Sequence, residues 1–417
     1  MNQKITAFEA AMEELDSAAR VMNLNDDAIA YLRQPRRVIT VHVPVRMDDG
    51  SLKMFTGYRS QHNNALGPVR GGTRFHPAET VDDVKALSFW MTLKNSLAHI
   101  PMGGAKGGIV VDPASLSKTE EERLCRSYID EVFPILGPSV DIPGPDVGTP
   151  PQVMAWFMDE YEILNHGYSA NAFAGKPILL GGSEGRARAT GRGLVYAAEE
   201  LMKQCGTMLK GKKIVIQGFG NLGSHAAEFF DDAGAIIIGI SDVNGGKYNK
   251  NGINIKDAVK LVEATGTIKD LKNVEDVTND ELLALKCDIL VPAALQNQLN
   301  KDNANNVNAT YVIEGANGPT TPEGEKIMLD RGIVFYPDIA ANVGGVFVSY
   351  LETVQDTYHF FWTEEDVYRR VEVVMKTICR EVYTLSQKKH VSLRMAAWIV
   401  AINRVVEAMQ LRGWVRK

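Results

Sequence analysis

The chain has 417 residues, of which 45% are hydrophobic and 23% charged, and its formal net charge is −6. This length exceeds what one ordinary hydrophobic core holds, so we expect two domains. The acidic balance argues against nucleic acid as a main partner, and no segment approaches the about 20 apolar residues that a membrane-spanning helix needs.

Residues 4–34 show helical spacing with acidic side chains, and they lack the long apolar core of a signal peptide. The four cysteines are widely scattered, without the CxxC spacing that is typical of zinc sites or redox pairs. We therefore expect no metal site, and thiols that stay reduced in the cytoplasm.

The first half of the chain mixes strands and helices. The segments "RVITVHVPV" and "LKMFTGYRSQ", separated by Asp48-Asp49-Gly50, predict a β-hairpin. A helix is expected at about 80–98, followed by a glycine-rich loop around Lys106 in "HIPMGGAKGGIVVDP" and a strand at "IVVDP". Thr119 and Glu122 have the spacing of a capping box for the next helix.

From about residue 210, short apolar strands alternate with helices. Strands are expected at "KKIVIQ", "AIIIGISD", "CDILVPAA", "TYVIEGANGP" and "GIVFYPDIAANVGG". This alternation predicts a doubly wound parallel sheet. The predicted fold class is α/β with two domains: an N-terminal α/β domain at 1–180 and a Rossmann-like domain at 181–364. C-terminal helices at about 365–417 are expected to pack back on the first domain.

The segment "GFGNLG" places glycines at 218, 220 and 223 between a strand and a helix. Glycines let the backbone approach a pyrophosphate, and the helix N-terminus supplies N–H donors. Asp242 ends the next strand, where a carboxylate can accept both ribose hydroxyls of NAD and would repel the 2′-phosphate of NADP. The motif predicts NAD, with NADP less favoured; a nucleotide-free α/β unit is the alternative.

Arg70, Lys94, Lys106 and Asp146 lie on glycine-flanked or helical segments of the first half. Each has an ordinary interpretation, as a solvated lysine or a turn former. Several cations and one carboxylate beside a dinucleotide domain suit an anionic substrate, proton transfer and hydride transfer. Their spacing alone does not name the reaction.

Seven motifs in chain order resemble the hexameric glutamate dehydrogenases of the Glu/Leu/Phe/Val dehydrogenase family, in a short bacterial NAD-dependent form without the regulatory antenna of the animal enzymes. The motifs are "QHNNALGPVRGGTRFHP", "MGGAKGGIVVDP", "DIPGPDVGT", "GKPILLGGSEGRARATGRG", "IQGFGNLG", "EGANGPTTPEG" and "ANVGGVFVSYLE". The resemblance implies reversible NAD-dependent deamination of L-glutamate to 2-oxoglutarate and ammonium. It also implies a cytoplasmic homohexamer, with substrate binding and oligomerisation in the first domain and no nucleic-acid or membrane partner.

The resemblance assigns roles to residues of this chain. Lys106 and Asp146 are implied as catalytic, and Lys106 must be partly neutral to act. The implied substrate-binding residues are Arg70, Lys94, Asn342 and Ser349. The implied cofactor-binding residues are Thr190, Gly218, Phe219, Gly220, Asn221, Gly223, Asp242 and Asn317.

One departure from the family concerns Arg70, because the family usually has lysine there and the leucine and phenylalanine enzymes an apolar residue. Arginine keeps the charge and can bind a carboxylate bidentately, but its shape differs. Two alternatives stay open: a dehydrogenase of another L-amino acid, and a non-catalytic NAD-binding regulator. A charged residue at 70 together with Ser349 disfavours the first, and the presence of Lys106 and Asp146 disfavours the second.

Overall fold

A computed structural model describes residues 6–416 as two compact α/β units. The first contains the described residues up to Arg186, together with Val346–Val367 and those from Trp398 onward. The second contains Ala187–Gly345 and Tyr368–Ala397. The predicted two-domain α/β fold class is confirmed.

The elements alternate along the chain and are numbered in chain order. The strands are β1 (Arg37–Arg46), β2 (Leu52–Asn63), β3 (Val69–His76), β4 (Gly103–Val110), β5 (Asp141–Pro145), β6 (Lys213–Gln217), β7 (Ile236–Asp242), β8 (Gly245–Tyr248), β9 (Glu275–Val277), β10 (Cys287–Pro292), β11 (Ala309–Ile313) and β12 (Val334–Tyr336). The helices are α1 (Ala7–Met22), α2 (Asp26–Leu32), α3 (Val81–Leu97), α4 (Lys118–Val132), α5 (Pro151–Asn165), α6 (Ala189–Gln204), α7 (Asn221–Asp232), α8 (Ile255–Thr265), α9 (Asn279–Ala284), α10 (Pro322–Asp330), α11 (Asp338–Ala341), α12 (Gly344–Tyr358), α13 (Glu364–Lys389) and α14 (Leu393–Leu411).

The first unit is built on a five-stranded mixed sheet in the order β1-β2-β4-β3-β5. The predicted hairpin is confirmed, since β1 and β2 are antiparallel with Arg46 opposite Leu52. Strand β4 is antiparallel to β2 and parallel to β3, and β3 is parallel to β5. A core that includes Phe75, Tyr128 and Phe157 packs α4 and α5 against this sheet. Because β4 lies between β2 and β3, Lys106 is on an inner strand of the sheet.

Two helix boundaries differ from the sequence-based expectation. The stretch expected as helical over 4–34 forms two helices, because Asn23 adopts a left-handed φ of 54° and caps α1; residues 4 and 5 lie outside the described range. The capping box predicted at Thr119 and Glu122 is wrong. Ser117 caps α4 and pairs with Glu120, and Glu120 also accepts a hydrogen bond of 2.9 Å from the Asp48 N–H. This additional hydrogen bond favours the capping box of Ser117 and Glu120 over the one predicted at Thr119 and Glu122, which has the same spacing.

The second unit is built on a seven-stranded sheet in the order β12-β11-β10-β6-β7-β8-β9. The strands from β12 to β7 are parallel, and all five were predicted from their apolar runs. Strands β8 and β9 add an antiparallel edge that the sequence did not predict, because they contain only four and three residues. Strand β6 is the middle strand of this sheet, between β10 and β7. The turn from the end of β6 to the start of α7 is therefore at the centre of the sheet.

The C-terminal stretch expected to be helical is divided between α13 and α14. Helix α13 ends at Lys389, and His390 follows with a left-handed φ of 53°. The run Lys388-Lys389-His390 thus ends this helix. Among the described helices, none combines the length and the apolar character that crossing a bilayer requires.

Candidate functional site

Lys106 lies in the middle of β4, so the glycine-rich loop expected around it is wrong. The glycines are needed by close packing within the first unit. A Cβ at Gly104 would lie 2.1 Å from the backbone nitrogen of Thr92 in α3, and one at Gly108 would lie 2.7 Å from Cγ of Glu79. Residues two apart on a strand face the same side. Lys106 therefore shares its side of the sheet with α3 and Glu79.

The Lys106 side chain, only 5% exposed, forms an ion pair with Asp146. Nζ of Lys106 donates to Oδ2 of Asp146, while Nε of Arg74 donates to Oδ1 over 2.7 Å. Asp146 follows β5 in a turn where its own N–H donates to Thr149 Oγ1 over 2.7 Å. The structure thus brings together the two residues predicted as catalytic and adds Arg74, which the sequence analysis did not single out.

Burial and charge act in opposite directions on this pair. Burial lowers the pKa of Lys106; Asp146 opposes this and Arg74 adds to it, and the net pKa is lowered. Burial raises the pKa of Asp146, but the charges and hydrogen bonds of Lys106 and Arg74 outweigh it and hold that pKa well below its usual range. The site therefore contains a firmly ionised carboxylate and an amine that releases its proton more readily than an ordinary lysine.

Arg70 on β3 is a buried guanidinium, 4% exposed, whose Nη1 has no hydrogen-bond partner in the described part of the chain. Burial lowers its pKa to about 10; Glu352 raises it and Arg186 lowers it further. A buried donor without a partner is costly in free energy. The geometry therefore leaves a donor for an anion at Arg70.

Glu352 on α12 does not supply that anion by a hydrogen bond, because other groups bind its oxygens. Lys176, fully buried, donates to Glu352 over 2.7 Å, and the Gly175 N–H donates over 2.8 Å. Arg186 Nε lies 3.8 Å from Glu352 and donates to Ser349 Oγ over 3.2 Å. Arg186 thus lies beside Ser349, and its charge reaches Arg70 in the same unit.

Arg186 was missed by the sequence analysis, although it stands in the quoted motif "GGSEGRARATGRG". Several arginines occur there, and no spacing distinguishes the one that reaches Ser349. Lys94 on α3 is 8% exposed, so its ordinary interpretation as a solvated helix lysine is wrong.

The second unit contains the predicted dinucleotide turn between β6 and α7. Gly218 has a left-handed φ of 92°, and a Cβ at Gly223 would lie 1.8 Å from the Gly218 carbonyl oxygen. Gly220 precedes α7, and within the described residues nothing lies within 4 Å of where its Cβ would be and no side chain caps this helix. Asn221 is exposed at the helix start, whereas Phe219 is 2% exposed. Open N–H groups at a glycine-rich helix start fit a pyrophosphate.

Asp242 ends β7 in a fixed orientation. Its carboxylate accepts hydrogen bonds from the Asn244 N–H over 2.7 Å, the Thr267 hydroxyl over 2.6 Å and the Ile268 N–H over 2.8 Å. Burial raises the pKa of Asp242, but these hydrogen bonds outweigh it and the net pKa is lowered. An ionised carboxylate in this place fits a ribose diol and disfavours a phosphate.

Asn317 and Asn342 lie together in the second unit, with Asn342 Nδ2 donating to Asn317 Oδ1 over 2.9 Å. Thr190 on α6 packs against Gly345, where a Cβ would lie 2.4 Å from the threonine Oγ1. Asn342 was predicted to hold substrate with Lys94, which belongs to the first unit. Across residues 6–416, no group of His, Cys, Asp or Glu side chains has the arrangement of a metal site.

Two family comparisons cover most of the chain. Residues 181–413 match the Glutamate/Leucine/Phenylalanine/Valine dehydrogenase family, and residues 35–163 match the Glu/Leu/Phe/Val dehydrogenase dimerisation domain. A cryptic catabolic NAD-specific glutamate dehydrogenase of Bacillus subtilis is 45% identical over 415 residues, 99% of this chain and 97% of the relative. An NAD-specific glutamate dehydrogenase of Staphylococcus aureus is 45% identical over 413 residues, 99% of both chains.

Solved structures match equally completely. A hetero-hexameric glutamate dehydrogenase of Thermus thermophilus superposes with a TM-score of 0.93 at 37% identity, covering 99% of this chain and 98% of that one. A glutamate dehydrogenase of Peptoniphilus asaccharolyticus gives a TM-score of 0.89 at 41% identity, covering 98% and 100%.

Proposed function

The chain belongs to the Glu/Leu/Phe/Val dehydrogenase family, and from this premise we propose that it catalyses the reversible NAD-dependent oxidative deamination of L-glutamate. The products are 2-oxoglutarate and ammonium. When bound, NAD supplies the hydride acceptor for the substrate's α-carbon. The chain's own residues bind the substrate and move its protons.

Lys106 and Asp146 divide the proton transfers. Once loss of the hydride has converted the substrate amine to an imine, the amine of Lys106, whose pKa is lowered, accepts a proton from the water that adds to the imine carbon. Asp146, held ionised by Lys106 and Arg74, takes a proton from the substrate amine and returns it to the leaving ammonia. Lys94, with Asn342, binds the α-carboxylate. These roles require a matched acid and base, which the regulator alternative would not need.

The choice of glutamate rests on one observation: the buried Nη1 of Arg70 has no hydrogen-bond partner within the described residues. Glu352 is bound by Lys176, so a substrate carboxylate is the anion that this donor lacks. Ser349 and Arg186 add a hydroxyl and a second guanidinium beside it. An apolar side chain would leave the buried Nη1 of Arg70 unpaired, which disfavours leucine or phenylalanine.

NAD is held in this proposal by the turn from Gly218 to Gly223 and by the carboxylate of Asp242. Thr190 and Asn317 lie in the same unit and contribute further polar contacts. The carboxylate favours a ribose diol over a 2′-phosphate, which agrees with the NAD-specific relatives.

The assembly is proposed as a homohexamer working in the cytoplasm. Residues 35–163 match a dimerisation domain, and the Thermus thermophilus relative is described as hetero-hexameric. All four cysteines are free thiols, which suits a reducing compartment. Native mass spectrometry would give the subunit number, and a dimer or monomer would contradict this part.

A panel assay tests the reaction itself. Initial rates are measured for glutamate, norvaline, leucine, valine and phenylalanine with NAD and with NADP. We expect glutamate with NAD to give the highest kcat/KM. A preference for an apolar amino acid would show that the chain is a dehydrogenase of that amino acid and not of glutamate. Absence of turnover with the whole panel would favour the non-catalytic NAD-binding regulator.

A further inference from the structure

Glu79 is a buried carboxylate beside Lys106 and Asp146 that the proposed chemistry does not use. Its side chain is 2% exposed, and its Oε2 lies 3.8 Å from Nη1 of Arg74. Its Oε1 is buried with no hydrogen-bond partner in the described residues. Gly108 leaves the space that Glu79 occupies, because a Cβ there would approach Cγ of Glu79 to 2.7 Å.

Arg74 is shared between two carboxylates, with Asp146 at 2.7 Å and Glu79 at 3.8 Å. The charged groups that face Glu79 are Arg74 from β3, Lys106 from β4, Asp83 from α3 and Asp146 from the turn after β5. When Glu79 is ionised, it attracts Arg74 away from Asp146 and places a negative charge toward Lys106. Both effects make Lys106 and Asp146 hold a proton more strongly.

We propose that Glu79 is a positioning residue that shares Arg74 with Asp146 and thereby sets the pH range in which Lys106 releases its proton. This inference rests on the proposed function, since it concerns the same proton transfers. Burial raises the pKa of Glu79 to about 7, although Arg74 and Lys106 lower it. Its charge therefore changes near neutral pH, next to the pair that moves protons.

The test is the pH profile of kcat/KM for glutamate in the parent enzyme and in Glu79→Gln, which keeps the shape and removes the charge. We expect the acidic limb of the profile to move to lower pH by about half a unit or more in the variant, because Lys106 loses a negative neighbour. The matched control is Asp82→Asn in the first turn of α3, three residues further along the chain, whose carboxylate pairs with Lys85 at 3.3 Å. Its acidic limb should stay in place. Coincident limbs for Glu79→Gln and the parent would overturn the inference.

Glu79→Leu, apolar and of similar size, serves if the glutamine variant does not fold, and the same shift of the acidic limb is expected.

A second measurement, of thermal stability, does not depend on activity. Between pH 4.5, the ordinary pKa of a glutamate, and about pH 7, Glu79 keeps its proton in the folded protein but loses it in the unfolded chain. The bound proton therefore stabilises the folded state fully below pH 4.5, and this stabilisation is lost as the pH rises to about 7. Between about pH 5 and 7 the midpoint of thermal unfolding should therefore fall more in the parent than in Glu79→Gln. Equal falls would contradict the inference, whereas a parent without glutamate turnover would contradict only the proposed function.

Discussion

Arg59 and Asp141 form a bidentate ion pair inside the first unit, with Nε to Oδ2 at 2.8 Å and Nη2 to Oδ1 at 2.5 Å. Both side chains are 1% exposed or less. The pair joins β2 to β5, and Arg59 Nη1 also donates to the Gly71 carbonyl over 3.2 Å. Gly71 follows Arg70 on β3, so this ion pair holds the strand that carries Arg70.

Breaking this pair should destabilise the first unit strongly. Arg59→Met leaves Asp141 buried and uncompensated, so the free energy of unfolding should fall by about 3–5 kcal/mol. Arg123→Met removes an exposed pair with Asp48 and should cost far less, because solvent screens the two charges. Chemical denaturation followed by circular dichroism compares the two variants. Similar losses in both would show that the buried pair contributes no more than the exposed one.

Replacement of Lys106 by alanine should stop proton transfer without disturbing the nucleotide. We expect kcat to fall by about 10²–10⁴ or more in Lys106→Ala, as is typical for a positioned acid or base. NAD affinity, measured by fluorescence titration, should stay close to that of the parent. Lys118→Ala, which removes a lysine 83% exposed, is the control. A loss of only about tenfold in kcat would assign Lys106 a lesser role.

Arg70 should determine the preference for an acidic side chain. Arg70→Leu removes the donor that a substrate carboxylate would pair with, so kcat/KM for glutamate should fall by at least about tenfold. Norvaline should lose far less, because its side chain has no charge to leave unpaired. Arg70→Lys keeps a cation and should retain the preference for glutamate. The measurement is the glutamate-to-norvaline ratio of kcat/KM in the three proteins, and an unchanged ratio in Arg70→Leu would move selectivity to Ser349 and Arg186.

Asp242→Ser should increase the use of NADP relative to NAD. The substitution removes a charge that repels a 2′-phosphate, so the ratio of kcat/KM for NADP to that for NAD should rise by about tenfold or more. Serine can still accept one hydrogen bond, but the loop bonds from Thr267 and Ile268 weaken. The exposed Asp302→Ser is the control. Equal use of both cofactors by the parent would contradict the assigned role.

The sequence predicted the second unit better than the first. The five parallel strands of that unit are continuous apolar runs that end in glycine or polar residues, and each of those predictions needed only local information. The segment around Lys106 needed more, because four glycines flanking a lysine indicate a loop until a neighbouring helix is known to press against them. The close approach of Gly104 to Thr92 exists only after β4 and α3 have packed.

The site shows the same division between local and distant information. Lys106 and Asp146 were predicted as partners in one site, and they form an ion pair. Arg74 and Arg186 were not singled out, although both stand in quoted motifs, since charge alone does not say which arginine turns inward. The hydrogen bonds from Asn244, Thr267 and Ile268 that orient Asp242 involve residues up to 26 positions away. Their effect on its pKa is a property of the folded loop.

The tight packing of β4 limits how this protein can be changed by mutation. At Gly104 and Gly108 even an added methyl group would meet backbone or the Glu79 side chain at 2.7 Å or less. A random library over residues 103–108 should therefore lose most of its members to misfolding before substrate choice is sampled. Variation that alters selectivity is better placed at the side chains proposed to bind substrate, Arg70 on β3 and Ser349 on α12. Substitutions in β4, the strand that carries the proposed base, are thus unsuited to changing the substrate preference. Substitutions at the neighbouring residues are better suited to it.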